Sequence, residues 1–353
     1  MNYCDPFVSQ DVLGSTGKPR LVPKRAFRSV RPRPKRISLA LQGGGAFGAF
    51  TWGVLDRLLE EDISFDAVSG ASAGAMNAVL LASGLAQSGA SEARAALERF
   101  WRRISEAGRQ NRLLAANPVL SRVTSQLSPY QFNPFDVNPL RDILTSEVDI
   151  EIVRASSPVR LLLGATRVSD GALRIFRNKG LSYDIVLASA CLPQLHQAVL
   201  IDGEPHWDGG YAANPPLMPL VTATRASELL VVQIIPANHA ELPTTSSEIH
   251  KRLNQITFNS SLQRDIEALS MMTQLCREGD MQNSRLGRKL RRLKLHRLAA
   301  EDHVAALSGH SFMNTEWEHL QHLRDQGRAA ADAWLEGQSA PGLAHTSPDG
   351  RPA

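Results

Sequence analysis

Three short stretches of this 353-residue chain combine residue types at spacings that could do chemistry. Gly70-Ala71-Ser72-Ala73-Gly74 fits the pattern G-x-S-x-G. Small flanking residues there let a chain turn sharply from strand into helix and raise a serine hydroxyl above a sheet. A serine hydroxyl is a weak nucleophile until a neighbouring group takes its proton, so Ser72 requires a base from elsewhere. Trp207-Asp208-Gly209-Gly210-Tyr211 offers a carboxylate beside two glycines, a turn that other backbone can approach closely. Gly43-Gly44-Gly45-Ala46-Phe47-Gly48 places consecutive glycines where a helix begins, so that backbone amides and the helix dipole face any anion brought near.

The glycine stretch admits two uses. Gly43-x-Gly45-x-x-Gly48 between a strand and a helix has the placement of a dinucleotide-binding fingerprint. That use needs an acid at the end of the second strand, whereas this one ends in Ser69-Gly70-Ala71-Ser72 and its nearest acid, Asp66, stands at its start. The alternative is an oxyanion hole built from the same amides. Of the histidines, His196 and His206 lie near the strand before Asp208, and most of the others fall in the C-terminal part.

The elements needed to hold these residues are legible in the apolar pattern. Ile37–Leu41 reads as a strand leading into the glycine loop and a helix from Ala49 to Glu60. Phe65–Ser69 is a second strand, followed by the serine turn and an almost wholly apolar helix, Ala75–Leu85, which belongs inside. Ser91–Ile104 is an amphipathic helix, and residues 117–138, rich in Pro, Ser, Asn and aromatic residues, read as a lid or substrate-facing loop. Strands follow at 159–168, 173–176, 197–201 and 229–235, with a helix at 182–190. Beyond Pro236 come a long helical stretch, 246–278, a basic segment with alternation at 293–298, and a helix at 314–335.

The order G-G-G-x-x-G, G-A-S-A-G, D-G-G over residues 37–220, with Ser189-Ala190-Cys191-Leu192-Pro193 before the last motif, resembles the patatin-like phospholipase family. The resemblance implies a three-layer α/β/α hydrolase fold with a mainly parallel central sheet. It implies a lipid acyl hydrolase in which Ser72 is the nucleophile and Asp208 the proton acceptor, without histidine, metal or organic cofactor. Gly43, Gly44 and Gly45 would supply the oxyanion hole, with Gly48, Gly70, Gly74, Gly209 and Gly210 supporting the elbow and turn. Phe47 stands where many members carry Arg or Lys, so backbone donors alone must hold the oxyanion. A silent lipid-binding scaffold and a nucleotide-binding protein are the rival readings.

Length and composition bound the rest. With 43% hydrophobic residues, the chain has material for one sizeable α/β core with extensions. The expected division is a basic disordered arm at 1–35, a catalytic domain at 36–236, a helical extension completing the fold at 237–337, and a disordered tail at 338–353. Net charge is only +4, yet no Asp or Glu occurs between Asp11 and Asp56. Lys18–Arg36 and a second basic segment, from Arg285 to Arg297, read first as solvated charge clusters and second as segments that bring the protein into peripheral contact with an anionic membrane, and no specific nucleic acid is expected as a partner. Three scattered cysteines and no apolar run of membrane-spanning length predict a soluble or peripheral cytoplasmic protein, the peripheral form lying at the inner face of the membrane.

Overall fold

Residues Ile37 to Leu41 are all buried, and their side chains divide between two apolar clusters: Ile37, Leu39 and Leu41 join one, Ala40 the other. The same division runs through Val68 against Ala67, Leu161 and Leu163 against Leu162, and Leu230 and Val232 against Leu229 and Val231. Successive strand residues point to opposite faces, so these runs are apolar throughout because both faces of the sheet are covered. A computed structural model of the protein describes residues 34–115, 127–238, 242–278, 284–304, 307 and 311–339.

The strands are β1 (Lys35–Leu41), β2 (Ile63–Gly70), β3 (Arg160–Arg167), β4 (Leu173–Phe176), β5 (Val199–Ile201), β6 (Glu204–Asp208), β7 (Glu228–Gln233) and β8 (Lys294–Ala299). Among the described residues they form one eight-stranded sheet in the order β5-β6-β3-β2-β1-β7-β8, with β4 paired to β3 off that path. The run β3-β2-β1-β7-β8 is parallel, while β4, β5 and β6 are antiparallel to their neighbours.

Helices α1 (Gly48–Leu58), α2 (Ala73–Gln87), α3 (Ala90–Ala115), α4 (Pro129–Phe132), α5 (Pro139–Glu147), α6 (Ile150–Ser156) and α7 (Tyr183–Ser189) precede α8 (Leu217–Ala223), α9 (Ser246–Glu278), α10 (Arg285–Arg292) and α11 (Trp317–Ser339). Buried residues of α1, α2, α3 and α11 join the cluster of Leu39 and Leu41, and those of α8, α9 and α10 join the cluster of Ala40. The result is a layer of helices on each face of a mainly parallel sheet.

Several elements depart from the sequence reading. β1 starts at Lys35, whose ammonium pairs with Glu228 at 2.8 Å, and the arm residues 1–33 lie outside the described residues. The segment beyond residue 237, read as helical, also supplies the edge strand β8, whose apolar Leu298 and Ala299 are buried beside β7. Part of the expected lid, 117–126, and the tail from 340 onward lie outside the described residues. Its remainder holds α4, and Tyr130 there accepts the Ala198 amide at 3.1 Å.

α1 and α11 meet at glycines. A Cβ on Gly53 would collide with the Arg324 carbonyl, and one on Gly327 with the Phe50 carbonyl, so the helix backbones touch where a side chain would hold them apart. Gly337, near the end of α11, has open space around its Cβ position. Gly53→Ala is expected to lower stability by about 1–3 kcal/mol through overpacking, and Gly337→Ala to raise it by about 0.5–1 kcal/mol. Urea midpoints of the two variants would check this, and equal midpoints would contradict it.

Candidate active site

β2 ends at Gly70 and α2 begins at Ala73, so the chain must reverse direction within two residues. A Cβ on Gly70 would lie 2.6 Å from the Gly74 backbone, and one on Gly74 would strike the Leu41 carbonyl. Ser72 absorbs the turn with φ at 54°, a left-handed conformation that a non-glycine residue adopts at a cost of roughly 1–3 kcal/mol. Its amide donates to the Ser189 carbonyl at 2.8 Å, while the Ser189 hydroxyl donates to the Gly164 carbonyl at 2.6 Å. The strained residue is thereby tied to β3 and α7.

Asp208 closes β6 opposite Ala165 of β3 and is fully buried. Its amide donates to the Cys191 carbonyl at 2.8 Å, and its carbonyl accepts the Thr166 hydroxyl at 2.7 Å. Oδ1 accepts the Gly210 amide at 2.7 Å, whereas Oδ2 is buried without a partner of normal hydrogen-bond geometry. Burial pushes the carboxyl up to about 7, with the Gly210 amide and the Ser72 hydroxyl pulling in the other direction. Ser72 is thus close enough to favour the carboxylate without forming a well-aligned bond to it.

The glycine loop differs from expectation at one position. The Gly43 amide donates to Asn214 Oδ1 at 2.7 Å, and the Gly43 carbonyl accepts Asn214 Nδ2 at 3.0 Å, so this amide is occupied by the protein itself. Of the three glycines expected to hold an oxyanion, Gly44 and Gly45 line the cleft with Ser72. Among the described residues neither of their amides has a protein acceptor. A Cβ on Gly43 would lie 2.5 Å from that of Ser72, which is why the loop can press against the elbow. Gly48 lies against Ala73 and Trp101, Gly209 against the Gly164 carbonyl and Gly210 against Phe258.

The cleft encloses about 670 Å³, part of it open to solvent. Phe47, Leu192, Ile235, Phe258 and Phe312 give it apolar walls. Among the described residues no histidine lines it: His206 is buried in β6 against Phe176, and burial lowers the pKa of His196. Asp66 is engaged toward the N-terminal ends of the parallel strands, where its carboxylate accepts the Arg225 amide at 2.6 Å, so it offers no ribose anchor near the glycine loop.

Asn214 and the α9 wall of the cleft escaped the sequence reading. The Asn214-Pro215-Pro216 run after the D-G-G motif was the available signal for the first, whereas α9 reads only as a long helix. The basic α10 leads into the start of β8, and Lys289 donates to the Thr222 carbonyl at 3.0 Å. α10 therefore joins the sheet at the N-terminal ends of the parallel strands, whereas Ser72 stands at the C-terminal ends. No helix among the described residues is long and apolar enough to cross a membrane.

Residues 39–221 match the family model described as patatin-like phospholipase. The chain belongs to the patatin-like phospholipase family, whose activity as a family is lipid ester hydrolysis. The uncharacterized protein YjjU of Escherichia coli K12 is 27% identical over 252 residues, 67% of this chain and 61% of the relative. The chain thus spans about three fifths of that relative's length. VipD from Legionella pneumophila is a structural neighbour with a TM-score of 0.41 and 16% identity, covering 87% of this chain and 67% of VipD.

The raised Asp208 pKa has a consequence for folding. Between an unfolded value of 3.8 and a folded value of about 7, the native state holds a proton that the unfolded chain has released. Stability therefore falls as pH rises through that window and is level above it. The loss amounts to roughly 4 kcal/mol, at about 1.4 kcal/mol per pH unit. Asp208→Asn, which cannot ionise, should gain stability over the parent from about pH 4.5 to 7 and keep the gain above 7. Urea unfolding across that range would check it, and a pH-independent difference would contradict it.

Proposed function

We propose that the protein is a serine lipid acyl hydrolase working through a Ser72–Asp208 dyad. The observation that carries the reading is the pairing of a left-handed serine at the floor of an apolar cleft with a fully buried carboxyl poised near neutral pH. Ser72 Oγ bonds to the ester carbonyl carbon as its proton passes to Asp208, in the deprotonated state that follows from a value of about 7. The Gly44 and Gly45 amides hold the negative oxygen. The tetrahedral intermediate collapses, the carbon–oxygen bond to the alcohol breaks, and Asp208 returns the proton to the leaving alkoxide. A water molecule then gives its proton to Asp208 and attacks the acyl-enzyme; the second tetrahedral intermediate collapses, the bond between Ser72 Oγ and the acyl carbon breaks, and Asp208 returns the proton to Oγ as the fatty acid leaves.

A buried carboxylate that acts only with one hydroxyl should behave as half of a unit. Ser72→Ala and Asp208→Asn are each expected to reduce kcat/KM on a lipid ester by about a thousandfold or more. The double variant should be hardly worse, because members of one catalytic unit are not additive. Fatty acid release by the three purified proteins would check this. Multiplicative losses would contradict the dyad.

A further inference from the structure

The α9 wall of the cleft is formed by Lys251, Asn254, Gln255 and Phe258, spaced i, i+3, i+4, i+7 and so on one face of the helix. Among the described residues lining the cleft, Lys251 is the one basic side chain. It is half-buried, and among the described residues it forms no ion pair. Burial lowers its pKa, and no carboxylate counters that shift. A partly dehydrated ammonium without a counter-ion is costly to keep, and it faces a cavity whose other walls are apolar or neutral. Arg57, Arg94 and Arg328, by contrast, each pair with carboxylates.

We propose that Lys251 determines specificity by selecting acyl esters that carry a negative charge, such as a phosphate, on the alcohol side of the scissile bond. The proposal rests on the acyl hydrolase reading and adds to it the residue that chooses among esters. The apolar walls take the acyl chain, Ser72 meets the carbonyl, and the flexible four-carbon stem of Lys251 brings a point charge to the remaining part of the substrate. An anion arriving there supplies the counter-charge that the protein itself does not.

The test compares dihexanoyl phosphatidic acid with dihexanoylglycerol, which differ only in the phosphate, as substrates of the full-length protein below their micellar concentrations. In Lys251→Met the ratio of kcat/KM for the anionic over the neutral ester should fall tenfold or more, chiefly through KM of the anionic ester. Lys251→Arg should keep the ratio within about threefold of the parent. An unchanged ratio in Lys251→Met overturns the proposal. A second arm measures binding of an ether-linked, uncleavable phosphatidic acid to Ser72→Ala protein with and without Lys251→Met. A tenfold weaker Kd supports the proposal and an equal Kd overturns it, whether or not any ester turns over. Failure of the parent protein to cleave either ester counts against the hydrolase reading alone.

Discussion

A carboxyl group withdrawn from water is the feature on which the site depends. Asp208 is fully buried, and the Gly210 amide is the donor fixed on one oxygen, so the charged form is held only weakly. In water the same group would be ionised at neutral pH but too weak a base to take a serine proton; burial moves it toward the working range. The position is maintained through the main chain of Asp208, held by strand pairing and by one threonine hydroxyl. β6 pairs with β3, the Asp208 carbonyl accepts the Thr166 hydroxyl, and the Thr166 oxygen in turn accepts the Ala212 amide at 3.1 Å.

The elbow is braced in the same manner. Ser72 keeps its left-handed conformation because Ser189 takes its amide, while Gly43, Gly70 and Gly74 allow three backbones to converge within reach of one Cβ. Asn214 completes the arrangement: its side-chain amide bonds both main-chain groups of Gly43 and donates to the Phe258 carbonyl of α9. One buried side chain thus connects the glycine loop, the stretch after the aspartate motif and the helix that walls the cleft. The C-terminal half of the chain is part of the site's construction, since α9 supplies a wall, Phe312 faces the cleft, and the Phe312 carbonyl accepts the Ala46 amide at 2.8 Å.

The motif-bearing elements were legible because local sequence determines them. β1 and β2 are apolar runs closed by glycines, and the serine turn lies between a strand and an apolar helix, where short-range pattern suffices. What escaped depends on contacts distant in sequence. That the Gly43 amide is occupied follows from a residue 171 positions away. That β8 joins the sheet depends on β7, and that one face of α9 lines a cleft depends on the strands beneath it. A sequence reader sees three glycines as equivalent donors; the fold distinguishes them by what already bonds to each.

The central claim is that a buried Asp208 activates Ser72 for attack. It is tested most directly by the rate at which a soluble fluorophosphonate modifies the protein as pH is varied, with the adduct located by mass spectrometry. The account predicts a single adduct on Ser72, formed at a rate that rises about tenfold per pH unit and levels off near pH 7, with the limb absent in Asp208→Asn. A rate that titrates near the ordinary carboxylate value of 3.8, or an adduct on another residue, would contradict it.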